Sequence, residues 1–172
     1  MRGCFAETGR MFVVGKAPDN SVIVYDAQLC TGCRYCEIAC AVWHCGRIDV
    51  GQSRIRILFD AEGSADRYAA VNCQHCEDPV CASACPSEAM RKDERTGWVT
   101  VNASTCIGCE MCVLACPLAV PSFDPALKVA VKCDFCHGDP ECVKHCSSRA
   151  LRLAPRDEAL RVSERLYLGA GE

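Results

Sequence analysis

The sequence predicts an α+β fold built from short strands, hairpins and short helices. Three observations predict it: 18 of the 172 residues are cysteine, one cysteine pattern occurs four times, and short segments rich in β-branched residues separate the repeats. This cysteine content is well above that of an ordinary domain. With only 5 Phe, 2 Trp and 4 Tyr, the chain has few aromatic side chains for a conventional core. Whatever binds the sulfur atoms must therefore supply much of the organisation.

The segments between the repeats predict strands and one hairpin. Strands are predicted for SVIVYD (21–26), RIRILF (54–59), WVTVN (98–102), KVAVKC (128–133) and ALRL (150–153). Residues 86–102, PSEAMRKDERTGWVTVN, predict a hairpin between two repeats, and the longest helix is expected from about Tyr35 to Cys45. The chain then divides into an N-terminal extension (1–20), a body (21–154) and a C-terminal helix or arm (155–172).

The cysteine pattern begins with CTGCRYCEIAC at 30–40, which has the spacing C-x2-C-x2-C-x3-C. The second repeat, CQHCEDPVCASAC at 73–85, has spacings x2, x4 and x3. The third, CIGCEMCVLAC at 106–116, has the tight spacing again, and the fourth, CDFCHGDPECVKHC at 133–146, has x2, x5 and x3. The two loose repeats are enlarged by Asp-Pro, at 78–79 and 139–140. The alternation of tight and loose repeats indicates duplication of a two-motif unit.

This spacing is typical of bacterial ferredoxins with [4Fe-4S] clusters, in which the fourth cysteine of a run binds the other cluster of a pair. Three thiolates of a tight loop can cap three irons, and the x3 segment starts a helix that carries the fourth thiol away. Pro86 and Pro117 follow two of the fourth cysteines and favour a helix end there. Ala41 and Ser147 replace them elsewhere, so we expect the first helix to continue past Cys40, with Trp43 packing on the cluster side. Sixteen cysteines thus predict four [4Fe-4S] clusters.

Zinc is the strongest alternative, because four-cysteine sites built from C-x2-C pairs are common. Such sites usually join two separated pairs, whereas these repeats have three cysteines plus one. A disulfide scaffold requires an oxidising compartment, and the amino terminus has no apolar run typical of a signal peptide. Cys4 and Cys45 are left over and are predicted to be free thiols, with a ligand or sensor role as the alternative. The histidines at 44, 75, 137 and 145 adjoin cluster cysteines, where they either tune the clusters or simply pack.

Composition excludes several functions. The formal charge of -3 provides no basic footprint for nucleic acid, and no apolar stretch is long enough to insert into a membrane. The chain has neither G-x-G-x-x-G nor G-x-x-x-x-G-K-[ST], so flavin, nicotinamide or pterin would have to bind to another subunit. We therefore expect a cytoplasmic chain that transfers electrons without a catalytic site of its own.

Residues 21–153 resemble the four-cluster iron-sulfur subunits of molybdenum and tungsten oxidoreductases and of related hydrogenase and carbon monoxide dehydrogenase systems. CTGCRYCEIACAVWHCGRI (30–48) and VKCDFCHGDPECVKHCSSRAL (131–151) are most similar to the small iron-sulfur subunit of tungsten-dependent aldehyde oxidoreductases and to the related subunit of class II benzoyl-CoA reductases. The resemblance implies two bacterial-ferredoxin-like dicluster modules organised around four [4Fe-4S] clusters.

The resemblance also implies which cysteines share a cluster. Set 1 would be Cys30, Cys33, Cys36 and Cys146; set 2 Cys133, Cys136, Cys142 and Cys40; set 3 Cys73, Cys76, Cys81 and Cys116; and set 4 Cys106, Cys109, Cys112 and Cys85. Repeat one thus pairs with repeat four, and repeat two with repeat three. Repeats one and four lack the proline that follows the fourth cysteine in the other two repeats. The resemblance therefore implies the geometry of this pair less firmly.

The implied role is to relay electrons between a large tungsten- or molybdenum-pterin catalytic subunit, that of an aldehyde oxidoreductase, and a flavin (FAD/NAD) subunit or ferredoxin. Several copies could also associate into a longer chain of clusters. The alternatives are an iron-sulfur subunit of a hydrogenase, formate or carbon monoxide dehydrogenase, and a free polyferredoxin. A redox sensor and a zinc-based interaction module are the remaining hypotheses.

Overall fold

The computed structural model describes Ala17, residues 19–59 and residues 68–159. In this part of the chain the strands are β1 (Ser21–Tyr25), β2 (Arg56–Phe59), β3 (Tyr68–Val71), β4 (Met90–Lys92), β5 (Val99–Val101), β6 (Ser122–Asp124), β7 (Val129–Val131) and β8 (Leu151–Pro155). The helices are α1 (Tyr35–Cys45), α2 (Val80–Ser83), α3 (Met111–Ala115) and α4 (Glu141–Lys144). None of these helices is long and apolar enough to cross a membrane. Most of the predicted extension (1–20) and most of the predicted C-terminal helix or arm (155–172) lie outside the described residues.

The strands form four separate antiparallel pairs: β1 with β8, β2 with β3, β4 with β5, and β6 with β7. All five predicted strand segments contain a strand, the predicted hairpin is β4 and β5, and α1 has the predicted bounds. Sequence reasoning missed β3 and β6. The first has the sequence YAAV, whose alanines are poor strand formers, and the second is only three residues long. Pairing with a neighbouring strand, and not local propensity, therefore determines both elements.

The first module forms because the two ends of the described body meet. β1 and β8 pair over their whole length, from Ser21 opposite Pro155 to Tyr25 opposite Leu151. This pairing brings repeat one beside repeat four, and α1 packs against α4. Ile23, Phe135 and Leu151 are buried in the shared core together with cysteines of both repeats.

The second module has its own core, formed by repeats two and three. Met90, Val99, Cys112 and Ala130 are buried there, and α2 packs against α3. Cys81, Cys85 and Cys106 pack against this core. Two cores, each lined by cysteines of two repeats, agree with the predicted pair of dicluster modules.

The chain turns in the same way after the last cysteine of three repeats. Glu88, Ala119 and Arg149 have φ angles of 52°, 47° and 58°, and each donates its N–H to the carbonyl of the cysteine three residues earlier. Repeat four makes this turn with Ser147 in place of proline, so proline is not required for it. In repeat one, α1 instead continues as predicted and ends at Gly46, whose N–H donates to the Val42 carbonyl.

Candidate metal centres

Each cysteine loop has a left-handed residue directly before its second cysteine. The residues are Gly32, His75, Gly108 and Phe135, with φ angles of 68°, 44°, 69° and 60°. This conformation is costly for residues other than glycine, so its occurrence at the same place in four loops indicates a shared requirement. It reverses the chain between the first two cysteines and lets the thiols of one loop converge.

Different groups pack against the left-handed residue in the tight and in the loose repeats. In the tight repeats a neighbouring hairpin lies against the glycine: the Tyr68 ring against Gly32, and the Phe123 ring and Lys128 carbonyl against Gly108. In the loose repeats the side chains of His75 and Phe135 face each other, with ring centroids 5.1 Å apart. The loose loops therefore meet where the two modules join.

The cysteines of set 1 line one cavity. Cys30, Cys33, Cys36 and Cys146 all border it. Burial, followed by the negative charges of Glu37, Cys146 and Cys33, raises the pKa of Cys36 to about 12. The N–H of Leu151 donates to Sγ of Cys146 over 3.3 Å. The structure therefore brings the fourth cysteine of repeat four to the first three of repeat one.

Set 2 is the most deeply buried group of thiols. Burial raises the pKa of Cys133 to about 12, with the charges of Cys73 and Cys40 among the further causes. The pKa values of Cys136 and Cys142 are also raised, first by burial and then by charges that include Cys133 and Cys40. Cys40 accepts a hydrogen bond from the N–H of Arg54 over 3.3 Å. Cys40 of repeat one thus lies among the first three cysteines of repeat four.

Set 3 is brought together in the second module. Burial raises the pKa of Cys81, and the charges of Cys73, Cys116 and Cys76 add to the rise. The main-chain N–H of His75 also donates to Sγ of Cys73 over 3.4 Å. These are the cysteines of repeat two together with the fourth cysteine of repeat three.

Set 4 shows the reciprocal arrangement. Burial raises the pKa of Cys112, and the charges of Cys85 and Cys106 add to it. The pKa of Cys85 is lowered instead: burial opposes the shift, but the backbone N–H of Met90 and the hydroxyl of Ser87 favour the thiolate. The N–H of Ala130 donates to Sγ of Cys106 over 3.4 Å. Cys85 of repeat two therefore lies close to cysteines of repeat three.

Electrostatic effects and packing link neighbouring sets in a line. The charge of Cys36 in set 1 acts on Cys142 in set 2, and that of Cys73 in set 3 acts on Cys133 in set 2. Cys81 of set 3 packs against the core that contains Cys112 of set 4. The order is therefore set 1, set 2, set 3, set 4, with the module junction in the middle.

An ion-pair cluster beside set 2 was not predicted from the sequence. Asp134 binds Arg54, with Nη1 and Oδ2 2.9 Å apart, and His44, with Nε2 and Oδ1 3.5 Å apart. Burial opposes ionisation of Asp134, but Arg54 and His44 hold its pKa below the usual value. Burial and the charge of Arg54 lower the pKa of His44 to about 4.

His44, Asp134 and Cys136 also place three donor atoms close enough to hold one metal ion. Cys136 belongs to set 2, however, so these residues surround that set and do not form a separate site. His44 joins Asp134 and Cys136 only because α1 packs against the fourth repeat, since His44 is about 90 residues away in sequence. The signals in the sequence were the adjacency of Asp134 to Cys133 and the position of His44 beside the first repeat.

His75 provides a test of whether the thiols fit an iron-sulfur cluster. Its ring is fully buried, and Nδ1 accepts the N–H of Val99 over 2.9 Å. Burial, assisted by the charges of Lys132 and Arg156, lowers its pKa to about 2, so the ring is neutral and Nε2 carries the hydrogen. Among the described residues Nε2 has no hydrogen-bond partner. A buried unpaired donor is costly, and cluster or cysteine sulfur is an acceptor that would satisfy it.

The leftover cysteines differ from expectation. The prediction that Cys45 is a free thiol is wrong, because Cys45 is disulfide-bonded. Nothing in the spacing around Cys45 signalled this bond, because a disulfide depends on a second residue that the fold brings near. Cys4 lies outside the described residues.

Comparisons with known proteins agree with this geometry. Residues 65–156 match the model of the 4Fe-4S dicluster domain family. The thiosulfate reductase electron transfer subunit of Salmonella typhi is 37% identical over 151 residues, covering 80% of this chain and 77% of the relative. The polyferredoxin-like subunit of an aliphatic sulfonate oxidoreductase from Pyrococcus furiosus is 41% identical over 128 residues, covering 72% and 70%.

A third relative is a subunit of the anaerobic dimethyl sulfoxide reductase of Escherichia coli, 36% identical over 149 residues and covering 77% of this chain and 72% of the relative. The matched family, the converging thiols and the orphaned donor of His75 fit the same cofactor. The chain belongs to the 4Fe-4S dicluster family, and it is an iron-sulfur electron-transfer subunit of an oxidoreductase complex with four [4Fe-4S] clusters as its cofactors.

Proposed function

We propose that the clusters are bound by the four crossed sets that the resemblance implies. The charge of Cys146 acts on Cys36, which supports set 1, and that of Cys40 acts on Cys133, which supports set 2. Each of these effects joins cysteines of different repeats. If each repeat bound its own cluster, the proximity of cysteines from different repeats would have no role in cluster binding.

The proposed function is to carry electrons between a large pterin-containing catalytic subunit and an electron acceptor or donor, either a flavin subunit or a ferredoxin. When bound, each [4Fe-4S] cluster takes up and releases one electron at a potential set by its surroundings. The observation that supports this function is the line of four sulfur sets across two modules. The chain contributes the ligands, the N–H donors to sulfur and the apolar cores that limit access of water.

Both ends of the line approach the surface. Cys33 in set 1 and Cys109 in set 4 are exposed, as is Cys76 in set 3. In repeat three, Ile107 is 66% exposed and Leu114 is 79% exposed. Exposed apolar groups of this size beside a redox site support the docking of a partner subunit at set 4.

The catalytic partner is proposed to contain tungsten or molybdenum. An aldehyde oxidoreductase partner is supported by the two stretches at 30–48 and 131–151. The names of the relatives favour a second candidate, a reductase or oxidoreductase of a sulfur compound, since they include thiosulfate, sulfonate and sulfoxide enzymes. A cytoplasmic location and self-association of several copies stay predictions.

The deciding experiment is anaerobic purification of the natively tagged protein with its partners, followed by elemental analysis for Fe, W, Mo, Ni and Zn. Iron together with tungsten or molybdenum is expected, and oxidation of aldehydes can then be compared with reduction of thiosulfate or sulfoxides. Nickel would indicate a hydrogenase or carbon monoxide dehydrogenase partner, and iron alone a free polyferredoxin. If the catalytic subunit reduced its acceptor equally fast without this chain, electron relay would be refuted.

A further inference from the structure

Lys132 is a buried cation at the junction of the two modules. It lies between β7 and Cys133, and only 3% of its surface is exposed. Its Nζ donates to the main-chain carbonyl of Val99 in β5 and to that of Cys133, the latter over 3.2 Å. Both acceptors are neutral. Within the described ranges, no carboxylate forms an ion pair with Lys132.

An ammonium group buried without a counter-charge is costly, so the native protein should provide one. The nearby ring of His75 does not, because an imidazole carries no negative charge. The two central cysteine sets can: Nζ of Lys132 donates to the carbonyl of Cys133 in set 2, and Val99, its other acceptor, lies in the core against which Cys81 of set 3 packs. Lys132 is therefore close to both central sets.

We propose that Lys132 supplies a positive charge shared by the two central clusters and raises their reduction potentials. This inference depends on the proposed ligand sets. A reduced cluster has one more negative charge than an oxidised cluster, so a nearby cation in a medium of low polarity stabilises the reduced form. The charge of Lys132 therefore favours reduction of the two clusters at the junction, which electrons must cross to pass from one module to the other.

The test is a redox titration of the full chain carrying Lys132→Met, purified anaerobically and followed by electron paramagnetic resonance and visible absorbance. The data are fitted to four one-electron midpoints. We expect two of the four to fall. At the potential that half-reduces those clusters in the wild type, the ratio of reduced to oxidised cluster should drop about tenfold, which corresponds to 59 mV for one electron.

Lys128→Met is the matched control, because Lys128 is an exposed lysine at the other end of β7. It changes the net charge equally, but water and salt screen its charge, so the ratio should change less than twofold. Lys132→Gln keeps a donor to the two carbonyls without the charge, and Lys132→Arg keeps the charge. We expect the midpoint potentials of Lys132→Gln to fall as in Lys132→Met, and those of Lys132→Arg to stay at the wild-type values.

Unchanged midpoints in Lys132→Met with four clusters present would overturn the inference, and so would wild-type midpoints in Lys132→Gln. If both neutral variants lost iron while Lys132→Arg held four clusters, the charge would be needed for assembly, which supports charge compensation. Loss of iron in all three would show a packing role and overturn the inference. The ligand sets are tested separately by Cys116→Ser. A failure of the ligand sets can therefore be distinguished from a failure of the inference about Lys132.

Discussion

The ring of Tyr68 lies directly against the α-carbon of Gly32. A Cβ atom at Gly32 would be 2.6 Å from Cε2 of Tyr68 and closer still to Cζ, and Gly32 also has a φ angle of 68°. Tyr68 begins β3, whose pairing with β2 positions the ring over the first cysteine loop. Gly108 stands in the same relation to the hairpin of β6 and β7. Each tight loop is therefore covered by a hairpin that requires a glycine beneath it.

Gly32→Ala should destabilise the protein by about 3 kcal/mol, because it combines a left-handed alanine with overpacking against the ring. Gly46→Ala is the control: its φ angle is 66°, but nothing lies within 4 Å of the added Cβ, so only the backbone cost of about 1 kcal/mol applies. The measurement is anaerobic thermal unfolding followed by loss of cluster absorbance. Equal effects of the two substitutions would contradict the role of Tyr68, and Gly32→Ala with Tyr68→Ala should recover part of the loss.

Cys116→Ser tests the crossed ligand sets. Cys116 lies in repeat three, but its charge acts on Cys81 of repeat two. We expect damage to the cluster held by Cys73, Cys76 and Cys81, with about four fewer iron atoms per chain or conversion to a smaller cluster. Iron analysis and electron paramagnetic resonance provide the measurement.

The reciprocal variant, Cys85→Ser, should instead damage the cluster held by repeat three, because the charge of Cys85 acts on Cys112. The two variants should therefore remove different resonance signals. If each variant damaged the cluster of its own repeat, the crossed scheme would be refuted.

Glu37→Ala should destabilise the first module by roughly 1–3 kcal/mol. Glu37 is 1% exposed, and its Oε1 accepts the N–H of Ile57 over 2.9 Å, so the substitution leaves that half-buried donor without its partner. Glu37→Gln keeps an acceptor and should be milder. Arg34, the ion-pair partner of Glu37, has a side chain that is 54% exposed, so Arg34→Ala should destabilise the protein less than Glu37→Ala does. All three variants are measured by the same unfolding assay. If Arg34→Ala destabilised the protein more than Glu37→Ala, the ion pair would be more important than the hydrogen bond to Ile57.

Removal of iron should unfold most of the structure. Cys36, Cys40 and Cys142 are buried in the first core and Cys112 in the second, so loss of the clusters leaves both cores without their central contacts. Metal binding is then part of the folding free energy. We expect anaerobic chelation to abolish the near-ultraviolet circular dichroism signal and the cooperative thermal transition. A chelated protein that retained the transition midpoint of the native protein would contradict this view.

The sequence by itself determined the chemistry of the protein. Thiol spacing is a local property, so the four runs between Cys30 and Cys146 predicted the clusters, and the β-branched segments between them predicted strands such as β5 and β7. The bounds of α1 followed in the same way from the absence of proline after Cys40. These features required no knowledge of how distant parts of the chain meet.

Only the tertiary structure decided how the surroundings of the clusters are built. The acceptor for Ile57 is Glu37, the partner of Arg54 is Asp134, and Lys132 reaches the carbonyl of Val99. Each contact joins residues far apart in sequence, and it depends on strand pairings that no local propensity predicts. The number of clusters is therefore a property of the sequence pattern, whereas their electrostatic environment is a property of the fold, because charges act through space and not along the chain.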